Sequence, residues 1–453
     1  MGIITLRQAA EWCGGWVDPK YADVTFFGAN NDTRKLSPGE LFVALAGVRD
    51  GHDFVGTAFE KGATAVLCTH CDGDYPAIVV DDTRLALGDI ARGERQKLGM
   101  KVVAVTGSVG KSTTKEMIAC VLEENYIVSK TPANHNNDIG MPMAILAMPE
   151  NTELAVLEMG MNHFREIAYL AAIGKPDVAV IINIGTMHME NLGSREGILK
   201  AKLEILEGLA ADGKAIFNGD DALLWGCAAT VDADVTYFGA NKGGCSVQAK
   251  NVREENGSIF FTVCHSGGEF DIVLPVEGMH FVPDALAAIA VGLSLGVKPA
   301  GIAARLAKFR NMAGRQEIFQ AKGCTIIKDC YNAGPESMAA ALTVLGNRPG
   351  RRIAVLGDML ELGTGTQAEH YRVGRIAAEK AQLLFAYGPN APRVVSGAIT
   401  GGMSVSAARA YSDRDQLAEA LRHQARAGDV ILFKGSHGMH MELALEAFLK
   451  EDK

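Results

Sequence analysis

Short apolar runs rich in β-branched residues recur along this chain: Leu41 to Leu45, Val102 to Val105, Leu154 to Leu157, Val178 to Ile182, Ile353 to Leu356 and Val430 to Phe433. They alternate with longer segments of helical period. Runs that are apolar on both faces suit strands covered by helices on each side, and parallel strands need crossover connections. The expectation is an α/β protein built on mainly parallel sheets. With 453 residues the chain exceeds what one compact core accommodates. The αβ series restarts accordingly. Residues 1–100 carry a compact strand-helix series, 101–313 open on the strand Val102 to Val105, and 314–453 hold a fresh series that ends in Val430 to Phe433 and a terminal helix. No fixed-period repeat or low-complexity tract interrupts them.

Charge and composition exclude several classes of function. The net charge is −9 and no block of consecutive lysines or arginines appears, so a general nucleic-acid surface is disfavoured. The stretch Ala285 to Val297 falls short of the ~20 residues that span a bilayer and reads as a buried helix. Met1 to Leu6 runs straight into Arg7 and Glu11 without the apolar core of a secretory signal, so a cytoplasmic protein is expected. Of nine cysteines only Cys68 and Cys71 form a close pair, and all are read as reduced structural thiols rather than as a metal or redox site.

The strongest local signal is Val102 to Glu116, in which a strand, a glycine turn and a helix follow one another: Val-Val-Ala-Val-Thr-Gly-Ser-Val-Gly-Lys-Ser-Thr-Thr-Lys-Glu. Gly107 and Gly110 allow a tight turn whose N–H groups converge on phosphate oxygens, and the helix adds its positive end. Thr106, Gly107, Ser108, Val109, Gly110, Lys111, Ser112 and Thr113 are thus expected to hold a nucleoside triphosphate. Lys111 would neutralise the terminal phosphates, and the Ser112 hydroxyl would ligate magnesium. The usual pattern has a glycine where this chain has Val105, so the loop is a shorter variant.

Three residues complete a candidate metal site. Glu158 closes the apolar run Leu154 to Leu157, at the strand edge where α/β sheets place ligands, and a carboxylate there can hold magnesium. His188 follows the run Val178 to Ile182 and the loop Asn-Ile-Gly-Thr-Met; alone it would read as an ordinary packed or surface histidine. Lys202 falls at the centre of the apolar face formed by Ile198, Leu199, Leu203, Ile205, Leu206 and Leu209, on a helix expected from Glu196 to Leu209. Lys200 shares the opposite, polar face with Glu196, Glu204 and Glu207. An ammonium on an apolar face is costly, so its pKa should fall and free the amine for chemistry, including carbamylation by carbon dioxide. Snorkelling along the helix is the ordinary alternative.

The ordered set of motifs resembles the Mur ligase family of cell-wall peptide assembly over essentially the whole chain. Its marks are Asp32-Thr33-Arg34 before Leu-Ser-Pro-Gly-Glu-Leu-Phe-Val-Ala-Leu, the phosphate loop, Asn134-His135-Asn136-Asn137-Asp138-Ile139-Gly140, and Glu158-Met159-Gly160. Further on come His188 with Ala201-Lys202-Leu203-Glu204-Ile205, Asp329-Cys330-Tyr331-Asn332-Ala333, Gly357-Asp358-Met359 and Lys434-Gly435-Ser436.

The resemblance implies a first domain that grips a uridine nucleotide with Asp32, Thr33 and Arg34, and Asn134, Asn136 and Asn137 facing a UDP-N-acetylmuramoyl tripeptide. It implies a central ATPase domain in which Ser112, Glu158, His188 and carbamylated Lys202 organise two magnesium ions. A Rossmann-like last domain would bring Arg315 and Asp329 to ATP, beside His280, and offer Tyr331, Asn332, Asp358, Lys434 and Ser436 to D-alanyl-D-alanine or to the phosphates. A monomer is expected. The chain departs from the family pattern at Phe281 and Asp284 in Gly278-Met279-His280-Phe281-Val282-Pro283-Asp284-Ala285, at Gly334 and at His437, where adenine and dipeptide contacts should differ. Competing readings are a sibling ligase adding a single amino acid, against which the absent Asp-Asn-Pro-Arg sequence speaks for the diamino acid branch, and a non-catalytic nucleotide-binding module.

Overall fold

The computed structural model describes residues 2–187 and 189–450. Three parallel-strand sheets follow one another along the chain. The first has the order Ala29–Asn30, Leu41–Val43, Ala65–Cys68, Ala77–Val79, all parallel. It is entered by the helix Leu6–Cys13, whose N-terminus is closed by a capping box between Thr5 and Gln8. The helix Thr83–Leu98, capped by Asp82 and ended by left-handed Gly99, carries the chain into the central sheet.

The central sheet begins with Lys101–Thr106, which lies between Val178–Ile181 and Leu154–Glu158. Beyond Val178–Ile181 come Lys214–Asn218, Asp234–Gly239 and Val247–Glu255, still parallel. Alternate residues of the first strand face opposite layers. Val103 and Val105 pack on the helices Lys111–Leu122 and Phe281–Ser294, the latter containing most of the apolar stretch read as a buried helix. Val102 and Ala104 join Leu157 and Ile181 in a second core, and that core runs without interruption into Leu41, Val43, Leu67 and Ile78 of the first sheet.

Two elements depart from the reading of the sequence. Val247–Glu255, Ser258–His265 and Gly268–Leu274 form an antiparallel meander at the sheet edge. Its first turn is Asn256-Gly257, with φ of 50° and 76°, a pair that favours two-residue hairpins. The helix expected from Glu196 to Leu209 is α-helical only over Arg195–Leu203 and tightens to 3-10 geometry over Glu204–Gly208. The change of winding rotates the later side chains. Glu204 therefore leaves the solvated face and is buried, where its carboxylate accepts N–H bonds from Arg165 (2.8 Å) and Ala168 (3.2 Å) at the start of the helix Glu166–Gly174.

The third sheet has the order Glu317–Ala321, Cys324–Asp329, Val430–Lys434, Arg352–Gly357, Leu383–Tyr387, Ala408–Tyr411, antiparallel only in its first pair. Helices cover both faces and enclose separate cores. On one face Thr366–Lys380 and Ala391–Thr400 cross at Gly374 and Gly397. A Cβ on Gly374 would stand 1.9 Å from the Val394 carbonyl oxygen, and one on Gly397 would stand 2.0 Å from that of Tyr371, so only glycine permits this approach. Polar links join this unit to the central one: Arg348 pairs with the Glu277 carboxylate, and the Gln316 side-chain amide donates to the Glu277 carbonyl.

Candidate active site

The phosphate loop leaves the end of Lys101–Thr106 and enters the helix Lys111–Leu122 through Gly110 at φ 88°. A Cβ on Gly110 would lie 2.6 Å from Asp284 Oδ1, so glycine is needed both for the turn and for the approach of that carboxylate. Asn183 braces the loop from the neighbouring strand. Its Oδ1 accepts the N–H groups of Ser108 and Val109, each at 3.0 Å, and its Nδ2 donates to the Val109 carbonyl at 2.8 Å. The Lys111 ammonium donates to the Gly107 carbonyl at 2.9 Å, and burial lowers its pKa from the ordinary lysine value.

Glu158 is the hub of the constellation and is almost wholly buried. Ser112 Oγ donates to its Oε2 at 2.7 Å, and Asn136 Nδ2 donates to its Oε1 at 2.8 Å. Its own N–H donates to Thr131 Oγ1, while the Lys115 ammonium, fully buried, lies 3.8 Å from Oε2 and donates to the Thr131 carbonyl at 2.6 Å. A buried carboxylate requires such compensation. Lys115 and Asn183 were not singled out from the sequence. Lys115 stands one helical turn after Lys111 and so returns to the same side of the helix, which is the signal that could have found it.

Lys202 is 2% exposed, in keeping with its central place on an apolar face. Burial, with the nearby charge of Lys111, pushes its pKa well below the ordinary lysine value. His188 lies outside the described residues. On the other side of the loop, Asp284 accepts a hydrogen bond from Thr114 Oγ1 at 2.8 Å, and burial raises its pKa from 3.8 to about 7.

The third unit supplies the facing wall. The Arg315 guanidinium donates to Ser112 Oγ at 2.8 Å and lies 3.9 Å from the centre of the Tyr331 ring. Lys434 donates to Asp329 Oδ2 at 2.6 Å and to the Asn332 carbonyl at 3.0 Å. Between these walls is a cleft of about 680 Å³. It is lined by the loop from Ser108 to Thr113, by Asn134, Asn136, Asn137 and Glu158, and by His280, Arg315, Asp329, Tyr331, Asn332 and Lys434.

Other expected site residues are not in the cleft lining. Thr106 lies buried beneath the loop. Asp358 is buried and its carboxylate accepts from the backbone and side-chain amides of Asn390, and Ser436 Oγ accepts from Leu360 N–H and donates to the Ala333 carbonyl. Both tie loops of the third unit together. Asp32, Thr33 and Arg34 sit on a turn of the first unit where Asp32 caps Arg34 N–H and pairs with its guanidinium at 2.8 Å. That turn follows the strand Ala29–Asn30, which packs on the helix Gly140–Leu146 directly after the asparagine loop.

Comparison with known proteins bears on this arrangement. The Mur ligase middle domain matches residues 105–292, and the Mur ligase, glutamate ligase domain matches residues 314–437. The UDP-N-acetylmuramoyl-tripeptide--D-alanyl-D-alanine ligase of Bacillus subtilis is 41% identical over 448 residues, covering 97% of this chain and 96% of that protein. The ligase of the same name from Escherichia coli is 40% identical over 83% of each chain. Among solved structures, MurF from Acinetobacter baumannii superposes with a TM-score of 0.91 at 31% identity over the full length of both chains. MurF from Thermotoga maritima in complex with ADP gives 0.83 at 30% identity, over 94% of this chain and 97% of that one. Identity sustained at this level from the first sheet to the last, together with agreement in fold, means that the chain belongs to the Mur ligase family, among its UDP-N-acetylmuramoyl-tripeptide--D-alanyl-D-alanine ligases.

Proposed function

We propose that this chain is an ATP-dependent, ADP-forming ligase that joins D-alanyl-D-alanine to a UDP-N-acetylmuramoyl tripeptide through an acyl phosphate, in the synthesis of peptidoglycan precursor. The observation that carries the reading is the meeting of Ser112, Glu158 and Arg315 at one hydroxyl, inside a cleft whose walls come from two units of the chain. In this reading the loop N–H groups and Lys111 hold the ATP phosphates, and Asn134, Asn136 and Asn137 present the tripeptide carboxylate. That carboxylate displaces ADP from the γ-phosphorus, and charge on the transferring group is met by Lys111 and Arg315. The dipeptide amine then attacks the activated carbonyl and phosphate leaves. Positioning by a cleft that excludes water protects the acyl phosphate from hydrolysis.

Magnesium fits the residues present. Among the described residues no three His, Cys, Asp or Glu side chains gather as a metal centre, but the Ser112 hydroxyl and the Glu158 carboxylate offer hard oxygens 2.7 Å apart. Such a partial set suits an ion that keeps water and phosphate oxygens among its ligands. His188 and Lys202, as a carbamate, would complete the sites for two ions. When bound, magnesium would supply charge stabilisation to the γ-phosphate. Desolvated Lys202 supports the carbamate, because only a neutral amine adds to carbon dioxide.

The reading divides the chain into a UDP-muramoyl domain over residues 1–100, a central ATPase domain over 101–313 and a domain over 314–453 that binds ATP and the dipeptide. It makes the protein a cytoplasmic monomer; among the described residues no helix is long and apolar enough to cross a membrane. The test is phosphate release from purified protein with ATP, magnesium and UDP-muramoyl tripeptide, with and without D-alanyl-D-alanine. Release should require the dipeptide. Release that ignores it, or that needs a free amino acid instead, overturns the assignment.

A further inference from the structure

The amine of the coupling step arrives as an ammonium and cannot attack a carbonyl until it has lost a proton. The cleft must hold an acceptor near the phosphate loop that is not already committed to a cation or a buried donor. Most acidic side chains lining it are committed. Glu158 serves Ser112 and Asn136, Asp284 serves Thr114, Asp329 serves Lys434, and Glu166 has both oxygens engaged, one by the Asn162 N–H and the other by the His163 imidazole at 3.2 Å. Glu361 is likewise engaged.

Glu336 is different. It stands in the first turn of the helix Pro335–Asn347, exposed to the cleft, and among the described residues it pairs with no lysine or arginine. Its Oε1 accepts a single hydrogen bond, from the neutral Thr186 hydroxyl at 2.9 Å. That contact fixes its place beside the phosphate loop. The N–H of Gly185, next to Thr186, donates to Ser108 Oγ at 2.9 Å, and a Cβ on Gly185 would lie 3.0 Å from the Ser108 side chain and 3.5 Å from Glu336 Oε1. One glycine therefore separates this carboxylate from the loop expected to hold the γ-phosphate.

We propose that Glu336 is a catalytic residue that binds the ammonium of the incoming dipeptide and takes its first proton. This rests on the reading of the substrate given above. The carboxylate accepts one proton from the ammonium, and the freed lone pair forms the N–C bond at the acyl phosphate. The adduct collapses as the C–O bond to phosphate breaks. The bonding pair leaves with phosphate, which also takes the second amine proton, so that amide and hydrogen phosphate result and Glu336 returns its proton to solvent.

The experiment separates the two half-reactions. Exchange of labelled ADP into ATP with UDP-muramoyl tripeptide and no dipeptide reports acyl phosphate formation, and steady-state phosphate release against dipeptide concentration reports coupling. Glu336→Gln keeps an oxygen for the Thr186 hydroxyl but loses the charge. It should retain exchange within about twofold and lower kcat/KM for the dipeptide by about 10²-fold. Glu336→Asp should recover part of the loss, and Thr186→Val, which removes the positioning contact but not the charge, should lower dipeptide kcat/KM by less than Glu336→Gln does. Coupling by Glu336→Gln at the wild-type rate, exchange that falls in parallel with coupling, or a Thr186→Val loss equal to that of Glu336→Gln would each overturn the role. Wild-type protein that does not use the dipeptide would defeat the substrate reading, and this role with it.

Discussion

Ser112 Oγ donates to Glu158 Oε2 at 2.7 Å although 46 residues separate the two in the chain. Adjacent parallel strands explain the meeting: Val105 is in register with Glu158, so the end of one strand delivers the carboxylate where the next begins its phosphate loop. The pair sets the oxygen donors of the proposed metal site before any ligand arrives. Ser112→Ala and Glu158→Gln should each reduce phosphate release by about 10²-fold or more while the fold persists. Circular dichroism and steady-state kinetics on the same preparations check this, and turnover near wild type in either variant removes that residue from the chemistry.

Lys202 carries a sharper expectation. Lys202→Ala should abolish turnover, and short carboxylates such as formate or acetate should restore part of it by occupying the space of the proposed carbamate. An active Lys202→Ala enzyme would take the carbamate out of the mechanism.

Asp284 should make stability depend on pH. In the folded protein burial raises the pKa of its carboxyl to about 7, whereas an ordinary aspartate titrates near 3.8. Between those values the folded state binds the extra proton, so this stabilising contribution is complete below the unfolded pKa and is lost as pH rises through the folded one. Asp284→Asn lacks the titration. The melting temperature of the variant minus that of wild type should climb between pH 4 and 7 and level off above, as read by calorimetry in matched buffers. Parallel curves would show that the carboxyl ionises normally.

Gly374 and Gly397 test packing far from the cleft. Gly374→Ala must push its helix away from the Val394 carbonyl, and Gly397→Ala must do the same at Tyr371. Overpacking of this kind costs about 1–3 kcal/mol, which urea denaturation would register as a lower midpoint. An unchanged midpoint would mean that the helix pair yields freely.

Local signals were the legible part of this molecule. The phosphate loop is written in consecutive residues, and the strands around Val102, Leu154 and Val430 were placed within a residue or two because each is apolar on both faces. Lys202 was found because helical period is a local property, yet Glu204, two residues on, was misread because the winding tightens between them. Asn183 carries no local mark, since its partners Ser108 and Val109 lie in a loop far from it in the chain, and only the one-turn spacing from Lys111 hints at Lys115. The meander was overlooked although Asn256-Gly257 announces its first turn.

The three units are not joined alike. A dry, continuous core binds the first sheet to the central one, and sliding there would expose apolar surface to water at about 25 cal/mol per Å². The third unit meets the centre largely through exchangeable polar partners: Arg315 on Ser112, Arg348 and Gln316 on Glu277, Glu336 on Thr186. Such partners can be handed to a ligand or to solvent at little net cost. Parting the third unit from the centre would therefore expose far less apolar surface to water than parting the first two sheets, which behave as one packed body.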